Sequence, residues 1–145
     1  MRKENISQMI NYCLDTNVVS DIINDKYEMK QKVKDEMQNG NKIFISSIVY
    51  YEIVRGLKTS KFTNKLRRFN EIYDIFSHLY LDRESMKVIE KAADIYDLLH
   101  KGQQIEDNDI YIAAIAMVNN CILVTANEKH FCRIEGLKYI NWRNY

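Results

Sequence analysis

Four oxygen-bearing side chains stand at comparable points along the chain. Asp15 closes the apolar run "INYCL", and Asn127 lies just beyond "CILVT". Glu52 lies about one turn into "SSIVYYEIVRG", and Asp109 lies in the first turn of "EDNDIYIAAIA". Each therefore follows a strand-like run or sits near the start of a helical pattern. Carboxylates brought together repel and raise one another's pKa. A hard divalent cation removes that conflict, and an oxygen-only donor set suits Mg2+ or Mn2+. Such an ion offsets charge on phosphate oxygens and activates water for in-line attack. Ordinary roles stand beside this one. Asp15 and Asn17 are good helix N-caps, Asp109 complements a helix dipole, and Asn127 suits a turn. Glu52, set among Ile48, Val49, Tyr51 and Ile53, is the hardest to explain in that way. The three histidines, His78, His100 and His130, lie in separate segments, and no Ser/His/Asp order suggests a nucleophilic triad.

The elements that would position these groups alternate between strands and helices. "INYCL" (10–14) and "KIFISS" (Ile43–Ile45) read as strands, each followed by a helical pattern. The first of these helices carries Val18, Val19, Ile22 and Ile23. A polar helix over Glu28–Gln38 ends at Asn39-Gly40. Ser46 or Ser47 can cap the helix carrying Ile48, Val49, Ile53 and Leu57. Phe62, Leu66, Phe69, Tyr73 and Phe76 form a stripe at steps of four and three, read as core or as a partner seam. "HLYLD" is a third strand, with Asp82 capping a helix over Glu84–His100 that Gly102 ends. "CILVT" is a fourth strand and Leu137–Ile140 a fifth. This alternation predicts a mainly parallel sheet of about five strands covered by helices on both faces. Ligands in such sheets bind at the carboxyl ends of the strands, at a topological switch point.

The chain has 145 residues, 46% of them hydrophobic, and a net charge of +1. One domain over 1–145 with a sizeable core is expected, and no global charge advertises nucleic acid or a membrane. No apolar run reaches the ~18 residues of a membrane span, and the N-terminus lacks a signal peptide's apolar core. A cytoplasmic protein is expected. Cys13, Cys121 and Cys132 lack CxxC spacing, so they are expected to be reduced and half-buried.

Taken in order, "LDTNVVS", "ISSIVYYEIVRG", "QQIEDNDIYIAAIA", "LVTANEKHF" and "IEGLKYINW" resemble a PIN-domain ribonuclease, specifically a VapC-like toxin of a type II toxin–antitoxin pair. The resemblance runs from Tyr12 to Trp142. It implies a three-layer α/β/α PIN-like fold and Mg2+- or Mn2+-dependent hydrolysis of RNA, such as tRNA or another structured RNA, leaving 5′-phosphate and 3′-hydroxyl ends. Asp15, Glu52 and Asp109 take the family's acidic positions. Asn127 takes a fourth that is Asp in many relatives, and it offers a carbonyl oxygen without charge. Glu106 and Asp107 add nearby acid, with Asp107 equally a helix N-cap. Thr16 and Thr125 resemble family hydroxyls beside the site. The family start aligns with Met9–Asp15, so residues 1–8 are expected to be a flexible extension. A homodimer and a cognate VapB-like antitoxin are the implied partners.

Substrate must be held by positive charge. Arg55, Lys58, Lys61, Lys65, Arg67 and Arg68 follow one another with no acid between Ile53 and Asn70. They read either as a phosphate-contacting stretch or as a solvated helix face. Arg55, three residues after Glu52, lies on the same helical side. Competing functions are a PIN nuclease of RNA processing without an antitoxin and an inactive binding module. A phosphatase with Asp15 as nucleophile is disfavoured, because Asn17 stands where that class needs a second aspartate.

Overall fold

The computed structural model describes residues 8–80, 85–99, 102 and 104–144. Strand β1 (Asn11–Leu14) leads through helices α1 (Thr16–Ile23) and α2 (Met29–Gln38) to β2 (Lys42–Ser46). Helices α3 (Ser47–Thr59) and α4 (Thr63–Tyr73) then lead to β3 (Ser77–Leu79). Helices α5 (Met86–Leu98) and α6 (Asp107–Val118) precede β4 (Ile122–Val124). A short α7 (Glu128–Phe131), β5 (Tyr139–Ile140) and a 3-10 turn (Trp142–Asn144) complete the chain.

The five strands form one all-parallel sheet in the order β3-β2-β1-β4-β5. After β1 the chain moves to one side of the sheet, and after β3 it returns to the other side of β1. The switch point is therefore the crevice between β1 and β4. Register puts Leu14 beside Val124, and the backbone N–H of Asp15 donates to the Val124 carbonyl at 2.8 Å. Tyr12, Cys13 and Leu14 are buried in succession, as are Leu123 and Val124. Successive strand residues point to opposite faces, so both faces of the sheet are covered. Helix α1 packs on α2, α3 and α4, while α5 packs on α6. In α6, Ile112 to Ala116 are all buried, which makes it an inner helix between sheet and α5. No helix among the described residues is long and apolar enough to cross a membrane.

Several boundaries depart from the pattern read in the sequence. The aromatic stripe is not one helix face. Phe62 precedes α4 and is 50% exposed, whereas Phe76 is buried beyond it. The break before Phe62 is a left-handed cap at Lys61 (φ 57°), with the Phe62 N–H bonding back to the Leu57 carbonyl at 3.0 Å. Ser46 rather than Ser47 caps α3, accepting from the Val49 N–H at 3.3 Å. The N-cap of α6 is Glu106, and Asp107 is the first helical residue instead of the cap. The third strand stops at Leu79, and the fifth begins only at Tyr139. Of the cysteines, Cys13 and Cys121 are buried and Cys132 is exposed, so none is half-buried. The cap proposed for Asp82 and residues 1–7 of the extension expected at 1–8 lie outside the described residues, as do Glu84 and His100. Val88, Ala92, Ile95 and Leu99 are all buried, as their spacing predicts.

Candidate active site

Asp15 does two jobs with one carboxylate. Strand β1 ends at Leu14, and the next residue must cap α1. Oδ1 accepts from the Thr16 N–H at 2.8 Å, which fixes the helix start. Oδ2 accepts from the Thr125 hydroxyl at 2.7 Å and from the Asn17 amide at 3.1 Å. A carboxylate offers about four lone-pair sites. Three donors leave Oδ1 with one free position. Asp15 is only 4% exposed. Burial pushes its pKa up to about 6 against those donors, and the charge of Asp109 adds to the rise.

Glu52 lies on α3 and Asp109 in the first turn of α6. Both are raised above the usual carboxylate range, first by burial. Asp109 and then Asp15 push Glu52 further, while Thr16 and Arg55 oppose the rise. The opposing hydroxyl of Thr16 falls short of a hydrogen bond. Thr16 Oγ1 and Glu52 Oε1 are both buried without a partner. Three carboxylates, one at the N-cap of α1 and the others on α3 and α6, thus share one field. Among the described residues, no three His, Cys, Asp or Glu side chains already stand close enough to enclose a metal ion. The donor set is nevertheless of the right kind. It is acceptor-only when ionised, it repels itself, and it contains a buried oxygen with no donor.

A second layer ties the loops after β1 and β4 together. Asn17 donates to Asp15 and accepts the Ala126 N–H at 3.1 Å. The Thr125 hydroxyl donates to Asp15 and accepts the Asn127 N–H at 2.9 Å. His130 was not singled out by sequence, yet its Nδ1 lies 3.3 Å from Asp109 Oδ2 and 2.8 Å from Asn127 Nδ2. One ring nitrogen cannot accept from an amide and donate to a carboxylate at once. With Asp109 ionised, the Nδ1 proton faces Oδ2 and the Asn127 amide turns its oxygen toward the ring. The i to i+3 spacing of Asn127 and His130 was the available signal, but nothing local linked His130 to Asp109.

The remaining residues are more peripheral. Asp107 is exposed, and exposed Glu106 reaches the site only by raising Asp109. Arg55 is exposed and lies over the Tyr51 ring at 5.0 Å. The basic stretch is partly engaged within the protein: Arg68 pairs with Asp25 at 3.1 Å, and Lys65 lies over the Phe62 ring at 4.8 Å.

A family model for the PIN domain matches residues 12–137. Ribonuclease VapC2 of Haemophilus influenzae is 33% identical over 135 residues, covering 92% of this chain and 99% of the relative. Ribonuclease VapC1 of Methanocaldococcus jannaschii is 39% identical over 97 residues, covering 65% of this chain and 67% of the relative. Among solved structures, VapBC2 from Rickettsia felis bound to a DNA fragment from their promoter superposes with a TM-score of 0.82. There the identity is 29%, over 92% of this chain and 99% of that one. The family model spans most of the chain and the similarity to VapC2 runs nearly end to end, so the chain belongs to the PIN-domain family and, within it, to the VapC ribonucleases.

Proposed function

We propose that the protein is a metal-dependent endoribonuclease, the toxin of a VapBC-type pair, silenced by a cognate antitoxin and acting on tRNA or another structured RNA in the cytoplasm as a homodimer. The observation that carries this reading is the set of three carboxylates near the β1/β4 switch point, each raised first by burial, with Asp109 also raising Asp15 and both raising Glu52, and an unpartnered oxygen on Glu52. Asp15, Glu52 and Asp109 would hold Mg2+ or Mn2+. When bound, the ion supplies an activated water and offsets charge on the leaving oxygen.

The chain's own groups would do the rest. Thr125 and Asn17 hold the Asp15 carboxylate in one orientation, and one position on Oδ1 stays open for a ligand. His130 holds Asp109. Asn127 would add a ligand oxygen only where its amide is turned away from His130, and Asp107 would contribute only by approaching from the rim. Thr16, with its unpartnered hydroxyl, would donate to a substrate phosphate beside Glu52. Arg55 would hold a phosphate along the strand.

The direct test is cleavage of a tRNA and ribosomal RNA pool with Mg2+, Mn2+ or EDTA. Cutting that requires the metal and disappears in Asp15→Asn is the expected result, and cutting that survives in EDTA would overturn the assignment. His130→Ala should weaken Mn2+ binding about 10–100-fold, the usual cost of losing an outer partner of a metal ligand. His130→Asn, with an amide near the Nδ1 position, should recover part of it. Calorimetric Mn2+ titration reads both, and equal affinity in all three proteins would remove His130 from the site. Arg55→Ala should raise KM several-fold with little change in kcat. It should also reduce the dependence of log KM on log salt by about one unit, as loss of one phosphate contact does.

A further inference from the structure

Thr16 and Glu52 face a second feature besides the carboxylate centre. A pocket of about 240 Å³ opens between α1, α3 and the start of α4, with Thr16 and Glu52 at one end and Phe62 and Lys65 at the other. Its apolar wall is Ile23, Ile53 and Leu57, the first two buried. Asn24 and Ser60 supply polar groups at its edge, and Phe62 is 50% exposed at the rim. Glu52 is the only carboxylate among its lining residues.

We propose that this pocket receives one nucleobase of an RNA strand whose adjoining phosphate lies over Asp15, Glu52 and Asp109. The proposal rests on the nuclease reading of that centre. Two observations favour a base over other occupants. The pocket is smaller than the ~300 Å³ at which drug-sized sites begin, and it suits one ring system. The order of groups also fits a single strand: oxygens at the phosphate end, an apolar slot with amide and hydroxyl groups at its edge, then an aromatic ring and a cation. Proteins read unpaired RNA by splaying bases against aromatic rings and bonding their edges. Lys65, which lies over the Phe62 ring at 4.8 Å, would turn from that ring to the next phosphate.

Gly56 provides a test that does not threaten the fold. It lines the pocket, it is exposed within α3, and a Cβ there would meet nothing within 4 Å. Gly56→Leu fills the slot and replaces a poor helix former with a good one. The four ribonucleosides, which carry no phosphate for the metal-free carboxylates to repel, would be titrated into the full chain in EDTA and followed by NMR. At least one should bind saturably to wild type and to Asp15→Asn. Its affinity should fall at least about tenfold in Gly56→Leu and about tenfold in Phe62→Ala, the scale of one lost base–aromatic contact. No binding of any of the four, or binding indifferent to Gly56→Leu, would overturn the proposal. So would a Gly56→Leu protein that loses only its grip on an antitoxin peptide. RNA cleavage by the same proteins keeps the two readings apart. Metal-dependent cutting with no base binding sinks the pocket alone. Base binding at this pocket without any cutting sinks the nuclease reading, and with it the path of the strand over the carboxylates, but not the base pocket.

Discussion

Asp15→Asn is expected to lower metal-dependent RNA cleavage about 10³-fold and, at neutral pH, to stabilise the fold relative to its effect in acid. The first part follows from the worth of a metal's charge stabilisation, several kcal/mol, at about 1.4 kcal/mol per factor of ten. The second follows from the raised pKa. The Asp15 carboxyl moves from 3.8 to about 6 on folding. Below pH ~4 both states carry the proton and the contribution vanishes. As pH rises from about 4 to about 6, the unfolded chain releases its proton and the folded chain keeps it, so stability falls. Above that window the full cost persists, roughly 3 kcal/mol for a shift of about two units. Asn carries no such cost, but it keeps a single oxygen, so either the Thr16 N–H or the Thr125 hydroxyl loses its acceptor, which costs about 1–3 kcal/mol. The signature is therefore the trend. The Tm of Asp15→Asn minus that of wild type should grow more positive between pH 4.5 and 7.5. Adding Mn2+ should raise the wild-type Tm, because the ion binds only the folded state, and should leave that of Asp15→Asn almost unchanged. A Tm difference flat in pH would show that the carboxylate is not ionised against its surroundings.

The largest loss of stability is expected from Arg143→Ala, at about 3 kcal/mol. Arg143 follows β5 and forms a two-pronged pair with Asp21 of α1, Nε to Oδ2 at 2.7 Å and a second guanidinium N–H to Oδ1 at 2.8 Å. The Asp21 side chain is 4% exposed and that of Arg143 31%. Removing the arginine strands a buried carboxylate, which costs about 3–5 kcal/mol, and the partial exposure of the pair places the expectation at the lower end. The guanidinium also lies 4.6 Å above the Tyr27 ring. Arg143→Lys should restore less than half, because an ammonium cannot present the two parallel donors. Asp21→Asn should be milder than Arg143→Ala, since the guanidinium left behind still reaches water. Urea denaturation orders the three variants. A loss below about 0.5 kcal/mol for Arg143→Ala, the range of ordinary surface changes, would show that the pair is incidental.

The two residues act in different places. Asp21 and Arg143 clamp the last segment of the chain onto α1, and Lys32 of α2 bonds the Trp142 carbonyl beside them. Trp142 in turn packs edge-on against Tyr12 of β1, ring centroids 5.0 Å apart. This clamp grips α1 by its inner face, while Asp15 forms the cap at its N-terminus. Arg143→Lys should therefore lower Tm without altering the metal affinity of the folded protein.

How much of this was legible beforehand depended on the range of the interactions. The parallel sheet, the helices after β1 and β2, and the positions of Asp15, Glu52 and Asp109 relative to element ends could be read locally. Burial on both faces writes continuous apolar runs, and amphipathic helices write a period near 3.6. Those patterns fix where a strand stops and which residue stands next. They carry no information on which distant partner that residue meets. Thr125 donates to Asp15 across 110 residues, and Arg143 to Asp21 across 122. Asn17 looked like a cap, but it bridges two loops that only the pairing of β1 with β4 makes adjacent. His130 looked isolated until the short α7, too brief for any periodicity, turned it toward Asp109. Phe62 and Phe76 kept their spacing but left the helix, because a left-handed residue at Lys61 broke the chain and the turn into β3 followed Tyr73. The sequence by itself determined the elements and the residues at their ends, since steric and hydrophobic preferences act within a few residues. Only the tertiary structure decided which carboxylates feel each other's charge, because that depends on the order of strands in the sheet.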